Sequence, residues 1–416
     1  MREALDRSLC NDPKLRAAWV DIKVKAAQLG QADAAYLPTV SANYQGLRDD
    51  SATDVHGYPR LSAANQSFIQ TVDATATLVI WDFGARSSAA RAARELVLAA
   101  TATYRATLQT AIANVSKDYF SAIGAEGQVS AAQKTLAVAQ QTFTAAIARV
   151  EHGVAPISDK LQAETSLQEA VYAAQKAGSD ARAAKGILSI DMGQAPTTVY
   201  ALPDMQSAIR VGSVNGSSVH ELLEEADIGD PSIAAALAQL DAARASVDKA
   251  KADGMPTISL TTKYTLNNQP ASLGLGVAEF PATGHDWYFG VVVRIPVFDG
   301  FSRSYQIREA EATVEAKLEA VRDARKQVAT GIWTNYEAVT LSEQNVESSE
   351  RLLDIANSSF DAANRRYRLG AGSILEVLNA QSALARAQKG LVSSLTDYAT
   401  ATLQLAAKLG RLRDWE

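Results

Sequence analysis

Two habits of hydrophobic placement alternate along the chain. In "PTVSANYQGL" the side chains of Val40, Ala42 and Tyr44 fall on one face, and those of Thr39, Ser41, Asn43 and Gln45 on the other. That period of two predicts a strand. "TVDATATLVIW" answers it, with Val72, Ala74, Ala76, Leu78 and Ile80 set against Thr71, Asp73, Thr75 and Thr77. Farther on, Ile258, Leu260, Tyr264 and Leu266 alternate with Thr257, Ser259, Thr261, Lys263 and Thr265. Trp287, Phe289, Val291, Val293 and Ile295 alternate with Tyr288, Gly290, Val292 and Arg294. Elsewhere the pattern is helical. All 11 prolines avoid the intervals 60–155 and 297–416, and within them Ala, Gln, Glu, Arg and Leu follow a helical cadence. Each long run, 83–152 and 300–369, would extend about 100 Å at ~1.5 Å per residue. Helices of that length belong to coiled coils, membranes or repeats rather than to a compact core.

The chain says nearly everything twice. Asp82 and Asp299, Tyr119 and Tyr336, Phe143 and Phe360, Gly153 and Gly370, and Gly193 and Gly410 all keep one constant spacing in the sequence. Asp12-Pro13 and Asp230-Pro231 each open a helix that ends near a second proline, Pro38 and Pro256. The predicted organisation is therefore two tandem copies, 1–193 and 230–416. Each copy reads as helix, hairpin (about 38–81 and 256–297), long helix, tip turn (153–158 and 370–373) and helix. The stretch 194–229 reads as an irregular connector, with a short helix possible at 220–226.

Each strand carries about ten alternating residues, the length that a tilted strand needs to cross a bilayer. Tyr44, Trp81, Tyr264 and Trp287 sit toward strand ends, where a membrane-interface girdle would place aromatics. The competing arrangement is a water-soluble sandwich whose apolar faces meet each other. Mounting each hairpin between a helix and a run of about 70 residues favours a ring of strands on a helical shaft instead. Four strands cannot close, because the smallest membrane barrels use about eight and an open edge in lipid leaves backbone groups unpaired. On the barrel reading, copies must pool their strands.

Composition and charge then remove other classes. Charged residues at 21% and apolar ones at 47% describe a folded chain. The lack of any run of about 18 apolar residues argues against a membrane-spanning helix. A net charge of −6 provides no basic face for nucleic acid. Cys10 stands alone without a CxxC partner, and the opening "MREALDRSLC" has no apolar signal region, so any such segment would have been removed or never present. His56, His152, His220 and His285 are scattered, with no HExxH, metal-ligand pair or recognisable nucleophile, so neither a metal, a cofactor nor an enzyme is expected. A coiled-coil scaffold would account for the helices but not for four alternating strands.

The doubled plan resembles the TolC family of outer-membrane channel-tunnels over essentially the whole chain. The residues that carry the likeness are the two Asp-Pro starts, the strand entries "YLPTVS" and "MPTISL", and the strand-to-helix returns "WDFGARSSAA" and "FDGFSRSYQI". To these are added the glycine turns followed by "DKLQAE" and "EVLNAQ". The wording "YLPTVSANY" and "IWDFGAR" is similar to the branch serving type I secretion of large RTX toxins. The resemblance implies a mainly α protein with a membrane β-barrel. Long antiparallel helices would form a periplasmic α-barrel, and a homotrimer would pool four strands per chain into 12. It also implies a periplasmic adaptor (membrane fusion protein) docking on the tip turns at Arg149, Gly153, Arg366, Gly370 and Gly372. The inner-membrane partner would be an ABC transporter, or an RND pump if the duct serves drug efflux. Cys10 lies outside a lipobox-like context, which favours secretion.

By the same resemblance, Glu376 and Asn379 fall where inward-facing acids ring the periplasmic entrance. Three copies of Glu376 would make a cation-favouring constriction. Asp159 and Tyr367 match positions that lock the entrance shut. Gly372 stands where the family usually has a basic lock residue, and Asn379 is neutral where an acid is common, which implies a gate latched differently. A local reading stays open beside this one, because an acid in the first turn of a helix also satisfies the helix macrodipole.

Overall fold

The structure is a computed structural model that describes residues 1–205, 218–271, 274, 277 and 280–410. In chain order the elements are α1 (Arg2–Asn11), α2 (Pro13–Ala34), β1 (Thr39–Thr53), a 3₁₀ turn (Pro59–Leu61), β2 (Ala63–Trp81), α3 (Ala85–Glu151) and α4 (Ile157–Asp191). They continue with α5 (Val219–Gly229), α6 (Pro231–Ala252), β3 (Thr257–Asn267), β4 (Gly284–Arg294), α7 (Ser302–Arg368) and α8 (Ile374–Lys408). Both proline-free runs are single helices of 67 residues. The connector helix starts at a capping box, in which Ser218 accepts from the Glu221 N–H and the Glu221 side chain accepts from the Ser218 N–H. Helix α1 lacks a side-chain cap and buries only Ala4 and Ser8, which is why its pattern says little in advance.

Both tip turns close in the same way. Gly153 N–H donates to Val150 O and Val154 N–H to Arg149 O; Gly370 N–H donates to Tyr367 O and Ala371 N–H to Arg366 O. This is the Schellman arrangement, which needs a left-handed residue, and glycine provides it at φ +72° and +76°. Helix α4 begins at Ile157, inside the expected turn, because Pro156 takes the N-cap position with extended backbone. Helix α8 is capped by Ser373, whose hydroxyl accepts from the Glu376 N–H.

Compactness divides the chain into two units, each drawn from both sequence copies. Unit 1 comprises Met1–Asp21, Thr101–Ala235 and Val321–Glu416. Its helices pack through small side chains, with clusters such as Ala139, Leu167 and Ala170, or Ala356, Leu384 and Ala387. A broader core joins Tyr119, Phe120, Ile123, Leu188, Met192 and Leu403.

Unit 2 comprises Ile22–Ala100 and Ala236–Ala320 and holds the sheet. Its order is β1-β2-β3-β4, antiparallel throughout. Strands β1 and β2, of 15 and 19 residues, run past the ten expected. The extension pairs polar residues, such as Asp50 with Gln66, so it carries no apolar alternation to read in advance. The faces are inverted relative to a sheet in water. Val40, Tyr44, Trp287, Phe289 and Val291 share the exposed face, the first at 73% and Trp287 at 70%, whereas Thr71, Asp73 and Thr75 on the other face are half-buried. Across that polar face the Asn43 amide donates to Asp73 at 3.1 Å, and Lys263 stands 3.9 Å from the same carboxylate.

Strands return to helices through a repeated clasp. Arg86 pairs with Asp82 at 2.7 Å and reaches the Val79 and Ile80 carbonyls; Arg303 pairs with Asp299 at 3.4 Å. Burial would push the Asp82 carboxyl up, but hydrogen bonds and charge from Arg86 outweigh it and hold the carboxyl below its ordinary range. Beside each clasp a phenylalanine, Phe83 or Phe301, adopts positive φ. Each costs on the order of 1 kcal/mol of backbone strain and leaves an exposed ring edge-on to Trp81 or Phe298.

Candidate functional site: the paired tip turns

Within unit 1 the second tip turn folds around Tyr367, the last large residue of α7 to point inward. It is 2% exposed, in a cluster with Ala146, Ala163, Ile374 and Val377, with Phe143 and Phe360 packed against it. The Arg149 guanidinium lies 4.7 Å from the centre of the Tyr367 ring and also donates to the Tyr367 carbonyl. One side chain from the first tip turn thus both stacks on and hydrogen-bonds the second turn. The sequence resemblance assigns Arg149 to docking and Tyr367 to the lock; the structure joins them in one contact. The Tyr367 hydroxyl is buried without a hydrogen-bond partner, as is Arg149 Nε. Burial raises the hydroxyl pKa, the Asp159 charge raises it further, and Arg149 opposes both. Asp159 therefore acts on Tyr367 through its field, and no hydrogen bond joins the two within the protomer.

Glu376 and Asn379 lie one turn apart on the exposed side of α8, opposite buried Val377 and Ala380. They line one groove together with Ser359, Ala362, Arg366 and Ala383. The Glu376 N–H is the one that Ser373 caps, so the local helix-start role holds for its backbone while its carboxylate faces the groove. Arg366 stands 3.9 Å from that carboxylate and donates to the Ala371 carbonyl at 3.3 Å.

Sequence reasoning missed Gln381. It is 4% exposed, accepts from the Thr142 hydroxyl of α3 at 3.0 Å and donates to the Ser166 hydroxyl of α4 at 3.2 Å. A glutamine at a buried position of an Ala-Leu helix face is the only prior hint, and its partners lie far upstream, 239 and 215 positions away.

In unit 2, Tyr44 stands opposite Val72, and Tyr264 opposite both Ala74 and Trp287. The three aromatics thus occupy adjacent rungs on the exposed apolar face. Trp81 ends β2, opposite Ile258. Six residues of β3 separate its rung from that of Tyr264, about 20 Å at ~3.3 Å per residue.

Comparison with known proteins fits these features. The model of the family described as outer membrane efflux protein matches residues 4–188 and 222–411. Protein CyaE of Bordetella pertussis is 30% identical over 99% of this chain and 84% of its own length. Outer membrane efflux protein BepC of Brucella suis biovar 1 is 24% identical over 98% of this chain and 85% of its own. Among solved structures, CusC superposes with a TM-score of 0.85 at 20% identity, over 98% of this chain and 91% of that one.

Proposed function

Since this chain belongs to the outer membrane efflux protein family, and so is an outer-membrane channel protein, we propose that three copies build the exit duct of a type I secretion machine. The observation that carries the proposal is the inverted sheet. Its apolar face is uncovered, its polar face holds the paired charges, and β1 and β4 are both edge strands. Such a face is stable against lipid, and lipid does not tolerate its two open edges. Joining β4 of one copy to β1 of the next removes every edge, and three copies give a ring of 12.

In this reading the sheet lies in the outer membrane, and the tip turns form the periplasmic entrance, where an adaptor docks around Arg149, Gly153, Arg366, Gly370 and Gly372. An inner-membrane ABC transporter supplies the energy, and the duct is passive. The 30% identity to CyaE, whose branch the strand wording resembles, supports secretion of an RTX-type protein. The second reading, an efflux duct served by an RND pump, is supported by relatives such as BepC that are named for efflux. Deletion of the gene separates them: loss of a large protein from the culture medium supports secretion, and drug sensitivity with an unchanged medium supports efflux.

Glu376 and Asn379 form the entrance ring, with Asp159 and Tyr367 holding it. In planar bilayers Glu376→Gln should lower the preference for cations over anions. An unchanged preference removes Glu376 from the constriction.

A further inference from the structure

The groove that carries the proposed gate acid also carries a guanidinium. Arg366 leaves the last turn of α7, anchors one nitrogen on the Ala371 carbonyl and brings the same nitrogen to 3.9 Å from Glu376 Oε2. Both side chains remain largely in water, at 62% and 47% exposure. The turn between them is built to let them meet. A β-carbon on Gly372 would come within 3.1 Å of Arg366 Cβ, 3.2 Å of Glu376 Oε2 and 3.2 Å of the Tyr367 backbone nitrogen. Gly372 does not have the positive φ of Gly370, so space rather than backbone conformation calls for glycine here. The atoms that fill that space belong to the acid and the base of the pair, together with the backbone behind them.

Arg149 occupies the same place in the first copy but turns inward to the Tyr367 ring and carbonyl. The two equivalent arginines therefore have different tasks: one is committed to the core, and the other is left beside the carboxylate.

We propose that Arg366 sets the ion selectivity of the Glu376 constriction by offsetting its charge, and that Gly372 is small in order to seat it. This rests on the gate reading above. At 3.9 Å the two charges lie well within a Debye length of about 8 Å at physiological salt, so a passing ion meets the field of the pair. A ring of three such pairs prefers cations less than three bare carboxylates would.

The test is the reversal potential of the detergent-extracted, full-length protein in planar bilayers under a KCl gradient. Arg366→Gln should raise the ratio of potassium to chloride permeability by about twofold, the scale of an exposed ion pair. Arg366→Lys should keep the ratio near that of the parent, and Gly372→Ala, whose β-carbon would crowd the Arg366 stem and the Glu376 carboxylate together, should move the ratio away from that of the parent. Glu376→Gln should lower it. If Glu376→Gln lowers the ratio while Arg366→Gln leaves it unchanged, the proposal falls and the gate reading stands. If Glu376→Gln has no effect, the gate reading itself fails and takes the proposal with it.

Discussion

Tyr367 and Asp191 are the two side chains whose surroundings ask most of the chemistry. The Tyr367 hydroxyl is enclosed with no partner in its own protomer, an arrangement that costs about 1–3 kcal/mol. We expect Tyr367→Phe to leave the melting temperature of the extracted protein unchanged or raise it. A marked fall would contradict this and show that the hydroxyl, rather than the packed ring beneath Arg149, holds the turn. Asp191 ends α4 with its carboxyl pushed up to about 6, first by burial, then by a hydrogen bond and charge from Asp118, and by the charge of Asp12. A raised carboxyl favours the folded state while it is protonated. That contribution is complete below the ordinary carboxylate range and is lost as pH rises through about 6. Asp191→Asn should therefore stabilise the protein at pH 7.5 relative to the parent and flatten the change in melting temperature between pH 4 and pH 7.5. A parent whose stability rises over that interval through this group would contradict the assignment.

Among the elements, those with a long uniform pattern were legible and those decided by partners were not. The proline-free runs became α3 and α7 to within two residues at each end, since 67 residues without proline and with a helical cadence keep the backbone hydrogen bonds of one helix unbroken. The glycines at 153 and 370 marked the tip turns for the same local reason. Strands β1 and β2 were read short, because polar extensions such as Asp50 with Gln66 lack the period on which the reading relies, whereas β3 and β4 have close to the expected ten residues. Helix α1 was missed, having ten residues, two buried positions and no side-chain cap. Nor could the contacts between the two copies be seen: Arg149 meets Tyr367 across a sequence separation of 218, and Gln381 meets Thr142 and Ser166 across 239 and 215. At this scale Gln381 is the brace that ties α8 to α3 and α4. Gln381→Ala removes both side-chain hydrogen bonds and opens a space, and should cost about 2 kcal/mol in thermal or denaturant unfolding. A cost below about 0.5 kcal/mol would show that the helices are held by their alanine and leucine packing alone.

For the whole molecule, the tandem repeat was plain from landmarks at one constant spacing, yet the compact units do not follow it, since each takes helix segments from both copies and the sheet takes a hairpin from each. Period-two alternation shows that a strand has an apolar face; what it cannot show is whether protein or lipid covers that face. Along β2 the apolar side is bare and the polar side half-buried, the pattern that a lipid-facing strand requires. The central claim is that one chain supplies too few strands to close a barrel and that three do so together. Light scattering on the detergent-extracted protein, corrected for bound detergent, measures it directly. The account predicts a protein mass of three 44.2 kDa chains that is lost when detergent is withdrawn. A monodisperse single chain, soluble without detergent, would contradict it.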